Sequence, residues 1–388
     1  MSAGISPARY RERLQQAQAA VEQAGIAAML LGVGPELEWL VGYTAVGHER
    51  LNLLIIGPGG VPTFLGPRLE LAAAQHAPGL GGGTVRLETW EEQEDPYQRV
   101  PALLVPAAVR PSESRRRILV SDGLRAAFVL GLQDVLPEAS WGVASTALAP
   151  LRRVKDAEEI ALLRAAAEAA DRVVEAVARG PLIGRSEAEV AAEVRWRLVD
   201  EGHDGAEFAI VASGPNSASP HHEPGVRLIQ AGEPLLLDIG GRRAGYCSDT
   251  TRTFWLAGHD GSAPDARFVE IHLLTERAQA AARGAVRPGV TFGSIDAAAR
   301  DIIVAGGYGE QFFHRLGHGI GLEVHEEPYV IGGSSEPVVD GNTFSLEPGI
   351  YLEGRYGVRI EDAVACVADG GEAFNRTPRE LRVISGRP

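Results

Sequence analysis

Short apolar runs separated by helical patterns characterise the first part of the chain. We expect a first helix capped by Ser6, with Pro7 in its first turn and Gly25 at its end. Three later runs have the length and composition of buried strands: 27–33, 51–56 and 117–120. Helical patterns lie between them, around 67–76 and 124–136. Strands that alternate with helices predict an α/β domain over residues 1–150.

The remaining residues, 151–388, follow a different pattern. A long helical pattern runs from Asp156 to Arg179, and Ser186 with Glu189 forms the capping box of a second helix. Glycine-bounded runs then predict strands at 208–212, 234–239 and 249–256, with further helical stretches near 264–283 and 294–305. This half is predicted to be an α+β domain with an antiparallel sheet.

Composition narrows the choice of function. The net charge of −14 argues against a nucleic-acid partner, because phosphate binding needs clustered Lys and Arg. No apolar run approaches the roughly 18 residues that span a bilayer, and the first residues contain no apolar signal core. With only Cys247 and Cys366, we expect no disulfide framework and a location in the cytoplasm. Lys155 is the sole lysine, which we attribute to genome composition rather than to chemistry.

Two aspartates face each other across a predicted hairpin. Asp238 and Asp249 are equidistant from a midpoint between Arg243 and Ala244, so a symmetric hairpin places them directly opposite each other. Two like charges about 5 Å apart repel each other, so this pairing would need a cation between the carboxylates to compensate for the repulsion. A single pair of this kind is more often an ordinary surface turn, so this hairpin alone leaves both interpretations open.

The pattern repeats with two glutamates. Glu347 and Glu361 are equidistant from Gly354, and both stand beside apolar residues, which predicts packed strands. Between the two hairpins lies a loop rich in glycine and histidine, in which His318 offers an imidazole ligand. A lone histidine in such a loop is more often structural. Two carboxylate hairpins around it favour a mostly oxygen site large enough for two divalent ions, with further donors available from His221, His314 and His325.

Five blocks of sequence at these residues resemble the pita-bread metallopeptidase family of prolidase, aminopeptidase P and methionine aminopeptidase. The blocks are LDIG at 237–240, SDTTRT at 248–253, GHGIGL at 317–322, LEPGIY at 346–351 and VRIED at 358–362. Residues 1–150 are similar to the creatinase/prolidase-type N-terminal domain. The resemblance therefore covers nearly the whole chain and implies a pita-bread catalytic domain over 151–388.

The resemblance implies two metal ions held by five residues: Asp238, Asp249, His318, Glu347 and Glu361. All five positions are occupied, whereas metal-free binding members of this fold lack some of them, which favours an enzyme over a binding protein. We expect manganese, with cobalt or zinc as alternatives, because the ligands are rich in oxygen. A hydroxide bridging the ions would be the nucleophile, since bound metals lower the pKa of water.

Further roles are implied by the same resemblance. Glu347 would carry the proton to the leaving nitrogen. His221 would contact the substrate, and His325 would hydrogen-bond the oxyanion of the tetrahedral intermediate. Arg359 would hold a ligand carboxylate in place. His314 resembles a histidine of the substrate pocket, and a structural role is the alternative.

The substrate class implied is a proline-containing dipeptide or short peptide. A prolidase that cleaves Xaa-Pro dipeptides is favoured, with an Xaa-Pro aminopeptidase acting on longer peptides as the alternative. One departure bears on this choice: microbial prolidases carry an arginine four residues after the second histidine, and this chain has Tyr329 there. Tyrosine cannot supply a bidentate charged clamp for a carboxylate. We hypothesise that Arg50 of the N-terminal domain takes over, and we expect a homodimer.

Overall fold

The computed structural model describes residues 4–45, 49–104, 117–258, 261 and 263–385. The chain divides into two compact units, Met1–Arg152 and Arg153–Pro388, two residues beyond the predicted boundary at 150. The difference arises because a helix that contains Pro150 continues to Arg152. No helix in the described part of the chain is long and apolar enough to cross a membrane.

The first unit is an α/β domain, as predicted. Its strands are β1 (Ala28–Leu31), β2 (Leu53–Ile56), β3 (Thr63–Pro67), β4 (Arg86–Trp90), β5 (Arg117–Val120) and β6 (Ser140–Val143). Its helices are α1 (Pro7–Gln23), α2 (Pro35–Val41), α3 (Leu71–His76), α4 (Val100–Leu103), α5 (Ala126–Val135) and α6 (Ser145–Arg152). The strands form one mixed sheet in the order β4-β3-β2-β1-β5-β6. The Ser6 side chain caps α1 by accepting from the Arg9 N–H at 3.3 Å, which confirms that helix start.

The second unit contains four α-helices among its described residues and a large antiparallel sheet. The helices are α7 (Ala157–Arg179), α8 (Glu187–Asp200), α9 (Ala266–Ala285) and α10 (Phe292–Ala305). The strands are β7 (Gly205–Ser213), β8 (Glu233–Arg243), β9 (Tyr246–Cys247), β10 (Thr250–Ala257), β11 (Gly317–Gly319), β12 (Glu326–Val330), β13 (Thr343–Leu346), β14 (Gly349–Leu352), β15 (Tyr356–Arg359), β16 (Glu361–Val367), β17 (Gly370–Ala373) and β18 (Val383–Ser385). The predicted α+β architecture is confirmed.

Capping boxes mark the starts of α7 and α8. Asp156 and Ser186 each accept from the backbone three residues on, and Glu159 and Glu189 return the contact, so both sites are capping boxes. The second box was predicted. The long helix begins at Ala157 with Asp156 as its cap.

The main sheet has the strand order β12-β11-β13-β16-β10-β8-β7. On β8, Leu235, Leu237 and Ile239 pack in an apolar core with residues of α7 and α8. Because side chains alternate along a strand, the residues between them point to the opposite face. That opposite face carries the polar site described next.

Candidate metal centre

Three adjacent strands bring Asp238, Thr251 and Glu361 into one row. Thr251 on β10 lies opposite Asp238 on β8 and also opposite Glu361 on β16. All three side chains are buried. The Thr251 hydroxyl donates to Glu361 Oε2 at 2.6 Å. The row therefore places two carboxylates on one buried face with a hydroxyl group between their strands.

The predicted direct pairing of Asp238 with Asp249 is wrong by two residues. Thr251 occupies the position opposite Asp238, and Asp249 precedes it by two residues. Because side chains repeat with a period of two, a shift of two leaves Asp249 on the predicted face as a diagonal neighbour of Asp238. Both aspartates still line one cavity.

The turn of this hairpin explains the shift. Arg243 pairs with Tyr246, so the turn consists of Ala244 and Gly245, whose φ angles are 49° and 83°. A two-residue turn with positive φ at both positions matches the twist of the flanking strands, and glycine adopts such angles without strain. A turn centred between Arg243 and Ala244 would have placed an arginine at one of these positions.

The register predicted for the second hairpin is confirmed. Gly349 on β14 lies opposite Arg359 on β15. Glu347 is two residues before Gly349 and Glu361 is two residues after Arg359, so the same register places the two glutamates opposite each other. The pairing of β13 with β16 continues this register. Glu347 lies between β13 and β14, where its N–H donates to the Leu316 carbonyl at 2.9 Å. Its side chain lines the cavity together with that of Glu361.

His318 lies on β11 beside these carboxylates. Its Nδ1 is 3.2 Å from the Gly319 carbonyl oxygen, which can only accept, so this bond assigns the proton to Nδ1. Nε2 lies 3.2 Å from Glu347 Oε1 and 3.6 Å from Asp249 Oδ2. When Nε2 carries no proton, its lone pair points at the carboxylates, as metal ligation requires.

The donor atoms fit a divalent cation. Asp249, His318 and Glu361 each offer one ligand atom, and these atoms lie within 4.8 Å of one another. Asp238 Oδ1 is buried and has no hydrogen-bond partner among the described residues, although Arg359 donates to Oδ2. A buried carboxylate oxygen without a partner is costly unless a cation binds it. Carboxylates with one imidazole suit manganese, iron, cobalt or zinc.

The pKa values of the site carboxylates also indicate a cation site. Burial, reinforced by neighbouring carboxylates, raises the pKa values of Asp249 and Glu361 well above their ordinary range. Burial also raises the pKa of Asp238, although Arg359 opposes it. Burial raises the pKa of Glu347, but a hydrogen bond from the protonated form of His318 and the charge of that form lower it to about 2. Three carboxylates thus lack the positive charge needed to ionise all of them, and divalent ions would provide it.

These groups line a cavity of about 910 Å³ that lies within the second unit. Nine of the predicted site residues line it: His221, Asp238, Asp249, His314, His318, His325, Glu347, Arg359 and Glu361. Phe208, Ile210, Phe313 and Val324 add apolar wall. Polar ligands at one part of an apolar-walled cleft are typical of an enzyme site for a small substrate.

Arg359 organises the polar side of this cavity. Its Nε donates to the Thr251 hydroxyl at 3.1 Å, and Nη2 donates to Asp238 and, at 3.3 Å, to the carbonyl of Pro220. Pro220 directly precedes His221, so one guanidinium holds both a predicted ligand and the backbone of a predicted substrate-binding residue. Holding a ligand carboxylate is the role the sequence suggested.

A hydrogen-bond chain fixes the tautomer of His314. Arg359 Nη1 donates to the Tyr351 hydroxyl at 2.9 Å, and that hydroxyl lies 3.1 Å from His314 Nε2. His314 Nδ1 lies 2.7 Å from the Arg315 carbonyl, which accepts its proton. Burial raises the pKa of Tyr351 to about 12, so its hydroxyl keeps the proton that it donates to Nε2. His314 is therefore a neutral imidazole bonded through both nitrogens.

The His325 ring lies against that of the predicted ligand His318, with ring centroids 4.0 Å apart and an interplanar angle of 51°. Burial and the neighbouring His318 lower the pKa of His325 to about 4, so it is neutral at pH 7. The next residue, Glu326, is paired with Lys155 Nζ at 2.6 Å, and both side chains are buried. Lys155 thus neutralises a buried carboxylate beside the site, which the attribution of this lysine to genome composition alone overlooked.

Comparisons with known proteins identify the family. Residues 161–368 match the model of metallopeptidase family M24, and residues 13–154 match the creatinase/prolidase N-terminal domain. The chain is 42% identical to a probable dipeptidase PepE of Mycobacterium tuberculosis over 97% of this chain and 96% of that protein. The chain belongs to metallopeptidase family M24.

Two further relatives bear on the M24 chain. It is 33% identical to an Xaa-Pro dipeptidase of Lactobacillus helveticus, over 90% of this chain and 92% of that protein. The structure of a prolidase from Thermococcus sibiricus matches with a TM-score of 0.88 and 35% identity, covering 96% and 99% of the two chains. Family and fold are thereby shown for both units.

Two other predicted residues of the M24 chain have different surroundings. Tyr329 on β12 is 39% exposed and is not among the residues that line the cavity; its ring packs against the Arg315 guanidinium. Arg50 lies in the first unit, where it pairs with Glu92 at 2.8 Å and with Glu49 at 2.7 Å. A substrate contact by either residue remains a prediction.

The sequence reasoning missed several residues of the M24 site. Thr251 and Tyr351 were quoted only as motif letters, yet both bond to Arg359. Glu187, at the start of α8, accepts from His222 Nε2 at 2.7 Å and from the Ser213 N–H at 2.8 Å, which anchors the segment next to His221. The capping box gave the position of Glu187 in a helix but no signal that it faces the interior.

Proposed function

We propose that this chain hydrolyses the Xaa-Pro bond of dipeptides, using two divalent ions held by Asp238, Asp249, His318, Glu347 and Glu361. The observation that carries the proposal is the convergence of these five side chains in one cavity with apolar walls. When bound, such ions supply Lewis acidity and a nucleophilic water at neutral pH. The names of the Lactobacillus and Thermococcus relatives support a proline-directed dipeptidase.

Proton movement is assigned to Glu347. It is the one carboxylate of the four whose pKa is lowered, to about 2, so it is ionised at neutral pH. The Ser345 hydroxyl donates to Glu347 Oε1 at 3.1 Å and fixes its orientation. Glu347 would take the proton from the attacking water and pass it to the departing proline nitrogen.

Substrate contacts are assigned to three histidines. His325, neutral at pH 7, would donate an N–H to the oxygen that becomes negative as the scissile carbonyl is attacked. His221 is exposed on the cavity wall and would bind the substrate carbonyl or carboxylate. His314 would shape the pocket for the proline ring together with Phe313, whose ring centroid lies 6.2 Å away.

An Xaa-Pro aminopeptidase is the second candidate. Tyr329 favours it, because the tyrosine replaces an arginine that would restrict the substrate to a dipeptide by binding its terminal carboxylate. A longer peptide has no carboxylate at that position and does not need the clamp.

The test uses the full chain, stripped of metal and refilled with manganese, cobalt or zinc. Metal content by mass spectrometry is expected to reach two ions per chain. Leu-Pro is expected to be cleaved only after refilling, faster than Leu-Pro-Gly, and an Asp249→Asn variant should lose one ion and the activity. Faster release of leucine from Leu-Pro-Gly would instead establish the aminopeptidase. Cleavage of neither peptide by metal-loaded protein would reject both.

Manganese as the native metal, a homodimer and a cytoplasmic location are further parts of this proposal. The oxygen-rich ligands support manganese. Metal analysis of protein purified without added metal, light scattering of that protein and fractionation of the source cells test the three statements separately.

A further inference from the structure

Arg315 occupies a rigid part of the cavity wall. It follows His314 and precedes the buried Leu316, three residues before His318. Helix α10 fixes this segment, because Arg300 Nη2 donates to the His314 carbonyl at 2.9 Å and Asp296 accepts from the Leu316 N–H at 3.2 Å. Side chains carried on such a pinned segment are held in place for binding.

The guanidinium of Arg315 lies against Tyr329. Its Cζ is 4.3 Å from the centroid of the tyrosine ring, which is a close cation–π contact. Arg315 lines the cavity, whereas Tyr329 is not among the lining residues. His325 lines the same cavity as Arg315.

Arg315 has no carboxylate partner within the described ranges, 4–45, 49–104, 117–258, 261 and 263–385. Arg359 in the same cavity is instead committed to Asp238 and to the Tyr351 hydroxyl. An arginine that is charged, stacked on an aromatic ring and open to a cavity is suited to bind a carboxylate of a ligand with two parallel hydrogen bonds.

We infer that Arg315 binds the terminal carboxylate of the dipeptide, with Tyr329 as the surface on which its guanidinium stacks. This inference rests on the proposed function and deepens it, because it names the residue that makes a dipeptide the preferred substrate. Position 329 then contributes to carboxylate binding through its contact with Arg315, although a tyrosine cannot bind a carboxylate as a charged clamp.

Two other arginines are alternatives and serve as matched controls. Arg195 on α8 also lines the cavity, but it is exposed and its guanidinium stacks on no aromatic ring in the described part of the chain. Arg50 already has two carboxylate partners, Glu92 and Glu49. Neither has the combination of a stacking surface and an open guanidinium that Arg315 has.

The test compares substrates with and without the terminal charge. Manganese-loaded full-length protein is assayed on Leu-Pro and on Leu-Pro amide, as wild type and as Arg315→Ala, Arg315→Lys, Arg195→Ala and Arg50→Ala. Loss of charged hydrogen bonds is expected to lower the kcat/KM of Arg315→Ala for Leu-Pro by about 10- to 100-fold, mainly through KM. Its kcat/KM for the amide should change less than about threefold.

Inhibition gives a second readout that does not need turnover of the amide. Free L-proline is expected to inhibit wild type more strongly than L-prolinamide does, and Arg315→Ala should remove that difference. Arg315→Lys keeps the charge without the planar fork and should fall between the two. Thermal melting of each variant shows whether a loss of activity comes from misfolding. If Arg315→Ala is misfolded, the Arg315→Lys variant and the inhibition data decide whether Arg315 binds the carboxylate.

The outcomes separate the inference from the proposed function. One outcome is that wild type cleaves Leu-Pro while Arg315→Ala lowers kcat/KM equally for the peptide and the amide and weakens inhibition by proline and prolinamide equally. In that case Arg315 has a structural role and the inference is overturned. A selective loss in Arg195→Ala or Arg50→Ala, with Arg315→Ala unchanged, assigns the carboxylate elsewhere and overturns it as well. If metal-loaded wild type cleaves neither substrate, the proposed function itself fails.

Discussion

At the scale of single residues, the metal site depends on groups that do not bind metal. Thr251 stands between the strands of Asp238 and Glu361, donates to Glu361 and accepts from Arg359. Such partners orient a ligand and prevent its oxygen from turning away from the ion.

We therefore expect Thr251→Val to weaken manganese binding by about 10- to 100-fold while the fold persists. The variant keeps the β-branched shape and removes the hydroxyl that bonds to Glu361 Oε2 at 2.6 Å. Calorimetric titration of metal-stripped protein measures the affinity. Thr275→Val is the control, because the Thr275 hydroxyl donates to the Ile271 carbonyl of its own helix and, among the described residues, has no other hydrogen-bond partner. Equal affinities for the two variants would refute the role of Thr251.

A second residue-scale effect concerns acid stability. His272 is buried on α9, its Nδ1 has no hydrogen-bond partner among the described residues, and burial lowers its pKa to about 4. The unfolded chain, with a histidine pKa of about 6.5, binds the proton more readily than the folded chain between these values. Stability from the neutral ring is complete above pH 6.5 and is lost as the pH falls towards 4.

This linkage amounts to about 3 kcal/mol across the window from pH 6.5 to 4. We expect the difference in unfolding free energy between wild type and His272→Leu to change by up to that amount between pH 7 and 4. Urea unfolding in EDTA at each pH measures it. Thr275→Val, one turn away, should show a difference that does not depend on pH. If the difference in unfolding free energy between wild type and His272→Leu is the same at pH 7 and pH 4, this histidine does not cause a loss of stability in acid.

At the scale of elements, neighbouring strands bring the proposed ligands together, and a glycine permits two of these strands to approach closely. A Cβ atom at Gly317 would overlap the Ser345 carbonyl oxygen on β13, so β11 can approach β13 only without a side chain there. The Ser345 hydroxyl also accepts from the His318 N–H at 3.1 Å. The position of His318 therefore depends on a glycine next to it.

We expect Gly317→Ala to destabilise the chain by about 3 kcal/mol and to weaken metal binding, because β11 must move. Gly284→Ala is the control, and it should change the free energy of unfolding in the opposite direction. A Cβ at Gly284, in the last turn of α9, would meet nothing within 4 Å, so alanine should stabilise the helix by up to about 1 kcal/mol. Denaturant unfolding measures both changes, and a harmless Gly317→Ala would contradict the packing argument.

Sequence patterns predicted elements better than the contacts between them. Periodicity located the long helices and β8, because these signals are local. The sequence analysis did not identify β3, β4 or β6. The predicted pairing of β8 with β10 was wrong by two residues. The pairing depends on which residues form the turn with positive φ, and these are Ala244 and Gly245. The bond between Lys155 and Glu326 joins residues 171 positions apart, and no local pattern encodes such a pair.

At the scale of the whole molecule, the five proposed metal ligands belong to one of the two units. Asp238, Asp249, His318, Glu347 and Glu361 all lie within Arg153–Pro388. An ion that binds only folded protein stabilises it against every opening that breaks the site. The six-stranded sheet of Met1–Arg152 contributes no predicted ligand.

Manganese should therefore protect the two units unequally. At 100 times its dissociation constant, the ion stabilises the second unit by about 2.7 kcal/mol, which slows hydrogen exchange through site-breaking openings by about 100-fold. Peptides of β8, β10 and β16 should show this change, while β1, β2 and β5 should not. Asp249→Asn is the control and should show weaker protection than wild type at the same manganese concentration. Equal slowing in both sheets would mean that the units open together and that metal binding stabilises the whole chain as one cooperative unit.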